Sequence, residues 1–308
     1  MTCANRPTSK SGCADRRPPT EALAELRPQE LARRYRITAD KRLGQHFLFD
    51  PAILDRIAAA AGPFAEELVL EIGPGPGGLT LALLRHGARE LLAVERDRRC
   101  LAALAELERA AAGRLRLLAA DARRLEIETI AAGGRLVIVA NLPFNIATAL
   151  LLGWLHALAP VRRMVLMFQK EVALRLLAER GDPAYGRLSI LTRRLCRVER
   201  LFDLPPGAFV PPPRVRATVL RLTPQPDRPP PDRLAALERV TRAAFGQRRK
   251  MLRSSLRALG TDPVALCRAA GIDAGRRAED LSVAEFEALA AALTPASARP
   301  GGAARRSR

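Results

Sequence analysis

From Leu68 onward, short runs that are apolar at almost every position alternate with stretches whose apolar positions recur at helical spacing. "LVLEI" is followed by a glycine-rich turn and "LTLALLRH", and "LLAVE" by "CLAALAELERAAAG". Then come "RLRLLAA", "RLVIVA" with "ATALLLGWLHAL", and "RRMVLMF" with "KEVALRLLAE". Strands that are apolar throughout need cover on both faces, so the alternation predicts an α/β fold with a parallel sheet between helical layers. In such a sheet ligands bind where the carboxyl ends of the strands open out. Ahead of the first strand, "DPAILDRIAAAAG" carries helix punctuation: Asp50 as N-cap, Pro51 at the first helical position and Gly62 just past the end. After "YGRLSILTRRLC", two further strand-like runs, "VERLFDL" and "RATVLRL", flank the proline-rich "GAFVPPPRV". "TPQPDRPPPD" reads as a linker before a helical region. The predicted organisation is an N-terminal extension over 1–37, largely disordered, and an α/β domain over 38–223. A linker at 224–232, a small helical domain over 233–294 and a disordered basic tail over 295–308 complete it.

At 308 residues and 48% apolar composition, the chain can fill one large core and a smaller one. Charge then narrows the choice of partner. Lys and Arg total 51 against 32 Asp and Glu, a net charge of +19, which favours polyanions: nucleic acid first, anionic membrane second. The bland alternative is an arginine-rich coding bias with no partner behind it. Cys3, Cys13, Cys100, Cys196 and Cys267 form an odd set with no CxxC pair and no histidine at metal-ligand spacing, so no metal is expected and a reducing compartment fits best. No run approaches the roughly 18 apolar residues of a membrane span, and the first forty residues lack an apolar signal core. The expected location is the cytoplasm.

The turn after the first strand, "EIGPGPGG", opens a helix, and Gly73, Gly75 and Gly78 satisfy GxGxxG. That spacing suits a nicotinamide dinucleotide as well as an adenosyl cofactor. Glu95 closes the second strand about twenty residues on, where a carboxylate can accept both ribose hydroxyls. A tight turn with an exposed glutamate is the plainer reading. Asp121 ends the third strand region, where it can accept from an exocyclic adenine amine or serve only as a turn residue. A diphosphate wants positive charge near this turn; Glu71 and Glu95 instead favour a cofactor that carries a cation. S-adenosylmethionine carries a sulfonium.

"NLPF", Asn141 to Phe144, sits where the fourth strand stops. The lone pair of an aromatic amine is delocalised into its ring, so transfer to that nitrogen requires acceptors that turn its N–H groups out of plane. The Asn141 amide oxygen and the Leu142 main-chain carbonyl can do this, and Pro143 fixes the turn by locking its own φ and restricting Leu142. Phe144 can then lie on the face of a flipped base, a stack worth roughly 1–3 kcal/mol, comparable to the few kcal/mol that extrusion costs. A buried Phe after an ordinary strand-end turn is the competing account.

These residues, together with "KRLGQHFLFD", "LEIGPGPGGLT", "FQKEVALRLLA", "AYGRLSIL", "GAFVPPPRVRATVLRL", "AFGQRRKMLRSSL" and "GIDAGRRAEDLSVAEF", resemble the KsgA family of small-subunit ribosomal RNA adenine dimethyltransferases. The resemblance runs from about Arg42 to Ala290. It implies a class I S-adenosylmethionine-dependent methyltransferase fold, Rossmann-like, with a seven-stranded sheet whose last strand is antiparallel, and a small all-α C-terminal domain. It further implies dimethylation of N6 on two adjacent adenosines in the 3′-terminal hairpin loop of small-subunit rRNA, with the immature 30S particle as partner and a monomeric enzyme. Cofactor contacts carried over by the resemblance are His46, Leu48, Gly73, Glu95, Asp121 and Asn141. The family usually has Asn at the place of His46; imidazole replaces one hydrogen bond of an amide but not its simultaneous donor and acceptor roles. It more often has Tyr at the place of Phe144, where the stack survives without a hydroxyl. Phe209 is implied as a second aromatic over the target base, with Pro211 to Pro213 stiffening its loop. Arg248, Arg249 and Lys250 are implied as rRNA contacts, although such a run usually marks a solvated helix face. Lys170 and Arg187 serve equally well as helix-start and turn devices.

Three competing functions follow. A large-subunit rRNA methyltransferase of the erythromycin-resistance type shares the features around "GQHFL" and "NLPF"; "AYGRLS" with "AFGQRRK" favours the small subunit. A non-catalytic ribosome assembly factor would not need the set Gly73, Glu95, Asp121 and Asn141. An NAD-dependent oxidoreductase would not need "NLPF".

Overall fold

The computed structural model describes residues 19–294. Seven strands form one sheet: β1 Leu68–Ile72, β2 Glu90–Glu95, β3 Leu115–Ala119, β4 Leu136–Ala140, β5 Val161–Gln169, β6 Cys196–Leu204 and β7 Ala217–Pro224. Their spatial order is β3-β2-β1-β4-β5-β7-β6, and β7 runs antiparallel to both its neighbours while the remaining pairs are parallel. Every residue of β1 and β4 is buried, as their unbroken apolar sequences require at the centre of a covered sheet. β3, at the edge, keeps only Leu115 buried.

Helices α3 Pro51–Ala61, α4 Gly78–Arg85 and α5 Arg98–Ala110 cover one face. α3 starts where its punctuation predicts: the Asp50 carboxylate accepts from the Ala52 and Ile53 N–H groups at 2.9 and 3.3 Å. α6 Ile127–Ala131, α7 Ala147–Leu155, α8 Lys170–Leu177 and α9 Arg187–Leu195 belong to the other face. There the apolar layer runs without a break into the C-terminal helices α10 Pro231–Gly246, α11 Leu252–Ser255, α12 Pro263–Ala269 and α13 Val283–Leu293. Trp154, Leu191, Leu237 and Phe286 belong to one cluster, so the helical unit is fastened to the sheet layer by a shared core. Each such side chain contributes roughly 1.5–3 kcal/mol by its burial. The proline-rich connection is also tied down, with the Arg228 guanidinium donating to the Leu158 carbonyl at 2.6 Å and the Gln225 N–H to Leu195 at 2.8 Å.

The N-terminal extension departs from expectation. Residues 19–37 are ordered: α1 Pro19–Glu25 and α2 Pro28–Arg34 pack against α5, burying Leu23, Leu31 and Ile37. Tyr35 donates its hydroxyl to Glu106 at 2.6 Å and Arg34 pairs with the same carboxylate at 2.8 Å. Their few leucines lie among Pro, Arg and Glu, and the apolar surface that makes the helices worth forming comes from α5 and the rest of that core layer. The tails expected over 1–18 and 295–308 lie outside the described residues. A second feature absent from the sequence pattern is a two-residue ribbon, Phe47–Leu48 against Phe209–Val210, that lays the "GQHFL" segment on the proline-rich loop. Among the described residues Cys100, Cys196 and Cys267 are buried and unpaired, and no helix is long and apolar enough to cross a membrane.

Candidate methyl-transfer site

β1 and β4 lie side by side, with Ile72 opposite Ala140, so the turns that follow them emerge together at the carboxyl edge of the sheet. This is the place where the strand order reverses, since β2 and β3 lie to one side of β1 and β4 to the other. Between the turns is a cavity of about 400 Å³. Gly73, Gly75 and Glu95 line it from the β1–β2 side, Asn141 to Phe144 from the β4 side, and His46 to Leu48 from above.

The glycine turn is built around Glu95. Its carboxylate accepts the N–H groups of Gly75 at 3.1 Å, Arg96 at 2.7 Å and Asp97 at 2.8 Å. Burial nevertheless pushes its pKa up, against those three donors. Gly75 has φ 56, and a Cβ there would stand 3.0 Å from the Phe47 ring, so both its dihedral and its neighbour demand glycine. Gly77, which GxGxxG does not mark, is the left-handed N-cap of α4 at φ 91; Gly78 is that helix's first residue.

Glu71 was legible only as a nearby charge. It is 1% exposed, lines the cavity, and neither carboxylate oxygen makes a hydrogen bond of good geometry; the Thr80 hydroxyl and main-chain N–H are its nearest donors and only partly offset its burial. Desolvation pushes its pKa up to about 8, with Glu95 adding to the shift. A buried carboxylate only partly compensated, with a second acid beside it, is a site that a cation relieves. The donor set therefore fits an adenosyl cofactor with a sulfonium and an ammonium group.

On the other wall, Asn141 is anchored in one orientation. Its Nδ2 donates to the His46 main-chain carbonyl at 3.0 Å, which leaves Oδ1 as the acceptor. Among the described residues no donor meets the Leu142 carbonyl, although the Leu142 side chain is buried and fixes the turn in the core. Pro143 directs the next turn, its carbonyl accepting from Ile146 and Ala147 at 3.0 and 3.1 Å at the start of α7. Phe144 is half-buried at the cavity, its ring centroid 5.7 Å from that of His46. His46 reaches across to the Pro211 carbonyl with Nδ1 at 2.7 Å; a carbonyl only accepts, so Nδ1 carries the hydrogen. The contact of this residue with the cavity's amide thus runs through its backbone, and its imidazole ties the Phe144 turn to the proline loop.

Five expected residues stand elsewhere. Phe209, paired with Leu48 in the ribbon, is 2% exposed within the core on the α3–α5 side and does not line the cavity. Asp121 lies outside the lining; its carboxylate is taken by Arg123, at 2.6 Å to Nη2, and by Arg96 at 3.5 Å, and these two cations hold its pKa far below the usual range. It is Arg96 and Arg123 that face the cavity. Arg248, Arg249 and Lys250 follow α10, away from the cavity, and Arg248 is paired with Glu279 at 3.0 Å while Arg249 and Lys250 are exposed. Sequence reading also missed Gln45, which donates to the Asp97 carboxylate at 3.1 Å and accepts from the Asp40 N–H at 2.9 Å, pinning the N-terminal strap over the cavity. Lys170 is occupied by Asp203 at 3.6 Å.

Comparisons with known proteins place the chain in a family. The model of the family described as ribosomal RNA adenine dimethylase matches residues 36–294. A ribosomal RNA small subunit methyltransferase A from Rhodopseudomonas palustris is 52% identical over 274 residues, covering 87% of this chain and 95% of that protein. Its counterpart from Rhodospirillum rubrum is 51% identical over 278 residues, covering 90% and 95%. Among solved structures, a dimethyladenosine transferase from Plasmodium falciparum is 26% identical, with a TM-score of 0.64 over 79% of this chain and 96% of that one. The 23S rRNA methyltransferase ErmE shares the fold at 24% identity and a TM-score of 0.62, over 80% and 99%.

Proposed function

The chain belongs to the ribosomal RNA adenine dimethylase family, and from that premise we propose that it dimethylates adenine N6 in small-subunit rRNA with S-adenosylmethionine as donor. The two acceptors are adjacent adenosines in the 3′-terminal hairpin loop, and the substrate is the immature small subunit in the cytoplasm.

One observation carries the reading: the Asn141 amide, locked by its bond to His46, offers Oδ1 beside the unengaged Leu142 carbonyl, with the Phe144 ring alongside. When bound, the cofactor supplies an electrophilic methyl group on a positively charged sulfur. The rest belongs to the chain. Phe144 holds the extruded base by its face. Asn141 Oδ1 and the Leu142 carbonyl accept the two N–H groups of the amine and so turn its lone pair toward the methyl group. Orientation of this kind supplies much of the barrier reduction, and no base has to act beforehand because the amine becomes acidic once alkylated. Glu71 and Glu95, which line the cavity, would hold the positive charge of the cofactor. The second methylation needs room for one methyl already present, and the amine's single remaining N–H then needs only one of the two acceptors.

Transfer of labelled methyl groups to small-subunit particles from cells lacking this gene tests the reading. Mass spectrometry of the digested rRNA should find two dimethyladenosines in the small-subunit RNA. Label appearing in large-subunit RNA, or none at all, would refute it.

A further inference from the structure

A second cavity, of about 660 Å³, adjoins the first across Phe47, which lines both. Its apolar walls include Ile37, Phe49, Val210 and Pro211, and Val210 is 56% exposed. Arg33 and Arg36, from the last turn of α2 and the residue pair that follows it, stand at the rim. Both are exposed, and among the described residues neither guanidinium has a hydrogen bond or ion pair. Their neighbours are different: Arg34 is spent on Glu106 and Arg42 on Asp40.

The backbone at Arg36 fixes where its side chain leaves the helix end. The residue has φ 50, and the Ile37 N–H bonds back to the Ala32 carbonyl at 2.8 Å, closing the helix in a Schellman-like turn. That conformation costs a residue with a Cβ roughly 1–2 kcal/mol and glycine nothing. Ala112 and Ala132 hold the same left-handed conformation, so what sets Arg36 apart is the free guanidinium that its turn presents at the cavity rim.

We propose that this cavity receives a nucleotide of the rRNA next to the target adenosine, its phosphate between Arg33 and Arg36 and its base against Val210 and Phe49. The inference rests on the function proposed above. Two uncompensated cations over an apolar floor complement a phosphate joined to a flat ring. The site is continuous with the target site through the proline loop: Pro211 lines this cavity, while its carbonyl holds the His46 ring that lies beside Phe144. An adenosine drawn to Phe144 brings its neighbours with it along the backbone.

The test uses the full chain and immature small-subunit particles from cells lacking this gene. Arg36→Gly should keep or raise the thermal midpoint, because it relieves the left-handed strain. Together with Arg33→Gln it should flatten the slope of log affinity against log salt by about 0.7 per lost contact on a single strand. KM for the RNA should rise several-fold while kcat at saturating RNA and KM for the cofactor stay put. A photo-crosslinking residue at Val210 should label a nucleotide adjacent to the methylated adenosine. Wild-type methyl transfer with an unchanged slope and KM in the double variant, or a crosslink to a distant nucleotide, overturns the inference alone. Wild-type protein that transfers no methyl group overturns the underlying function, and the inference with it.

Discussion

Asn141 does two things through one amide: Nδ2 fastens the strap at the His46 carbonyl, and that bond aims Oδ1. Asn141→Ala should therefore lower kcat by roughly 100-fold or more, the penalty for misplacing a reacting group by about 1 Å, while RNA affinity changes little. Asn141→Asp should be no better, since a carboxylate oxygen would face the His46 carbonyl across 3.0 Å. Filter binding alongside single-turnover transfer checks both, and near-normal turnover in either variant contradicts the orienting role. Glu71 gives a prediction in pH. Its folded pKa is about 8 against an ordinary 4.5, so between those values the unfolded chain has released a proton that the folded chain keeps. Stability from this group is thus intact below about 4.5, declines as pH rises, and is fully lost above about 8. Glu71→Gln should remove that decline, a gain of a few kcal/mol at most at roughly 1.4 kcal/mol per pKa unit. In the wild type, cofactor affinity should increase with pH over the same window, with proton release visible as a buffer-dependent binding enthalpy. A flat pH profile for both would mean the carboxylate is already ionised.

Among the elements, the strap that carries Gln45 and His46 is the part most sensitive to small changes. Gly44 has φ 66, and a Cβ there would stand 2.8 Å from the Asn145 side-chain oxygen. Gly44→Ala should strain the strap by roughly 1–2 kcal/mol and lift it from the turn after β4. The expected result is a KM for the cofactor raised about tenfold, with a thermal midpoint within a few degrees of wild type. An unchanged KM would show that the strap does not close the cavity. The elements differed in how readable they were. α3 could be placed from Asp50, Pro51 and Gly62 because a cap is a local hydrogen-bonding problem solved within four residues. α1 and α2 could not, because Leu23 and Leu31 are isolated leucines whose burial depends on α5, far along the chain. The ribbon at Phe47–Leu48 was invisible for the same reason: a pairing of two residues leaves no periodicity.

For the molecule as a whole, the net charge of +19 should appear as a steep loss of RNA affinity with salt. Arg249→Gln and Lys250→Gln should each reduce the slope by roughly 0.7–0.9 if each side chain meets a phosphate. Arg248→Gln should do less, since that guanidinium already has Glu279 at 3.0 Å. Titration over a salt series distinguishes them, and equal effects from all three would mean that the Arg248 pair opens on binding. The shared core of α7, α9, α10 and α13 implies that the helical unit and the sheet unfold together, so a single denaturation transition is expected.

What the chain alone determined was whatever is encoded over a few neighbouring residues. The covered parallel sheet follows from apolar runs, the glycine turn from its dihedral needs, and the Asn-Leu-Pro-Phe turn from one restricted φ and its neighbour. What the tertiary structure decided were relations between distant segments. It turned Phe209 into the core, set Asp121 against Arg96 and Arg123, and left Glu71 without a hydrogen bond of good geometry. It also aimed Asn141 by a bond to a residue 95 positions away. A side chain's surroundings, and so its charge state and its free hydrogen-bonding positions, are set by what other segments bring to it, and linear order does not contain that.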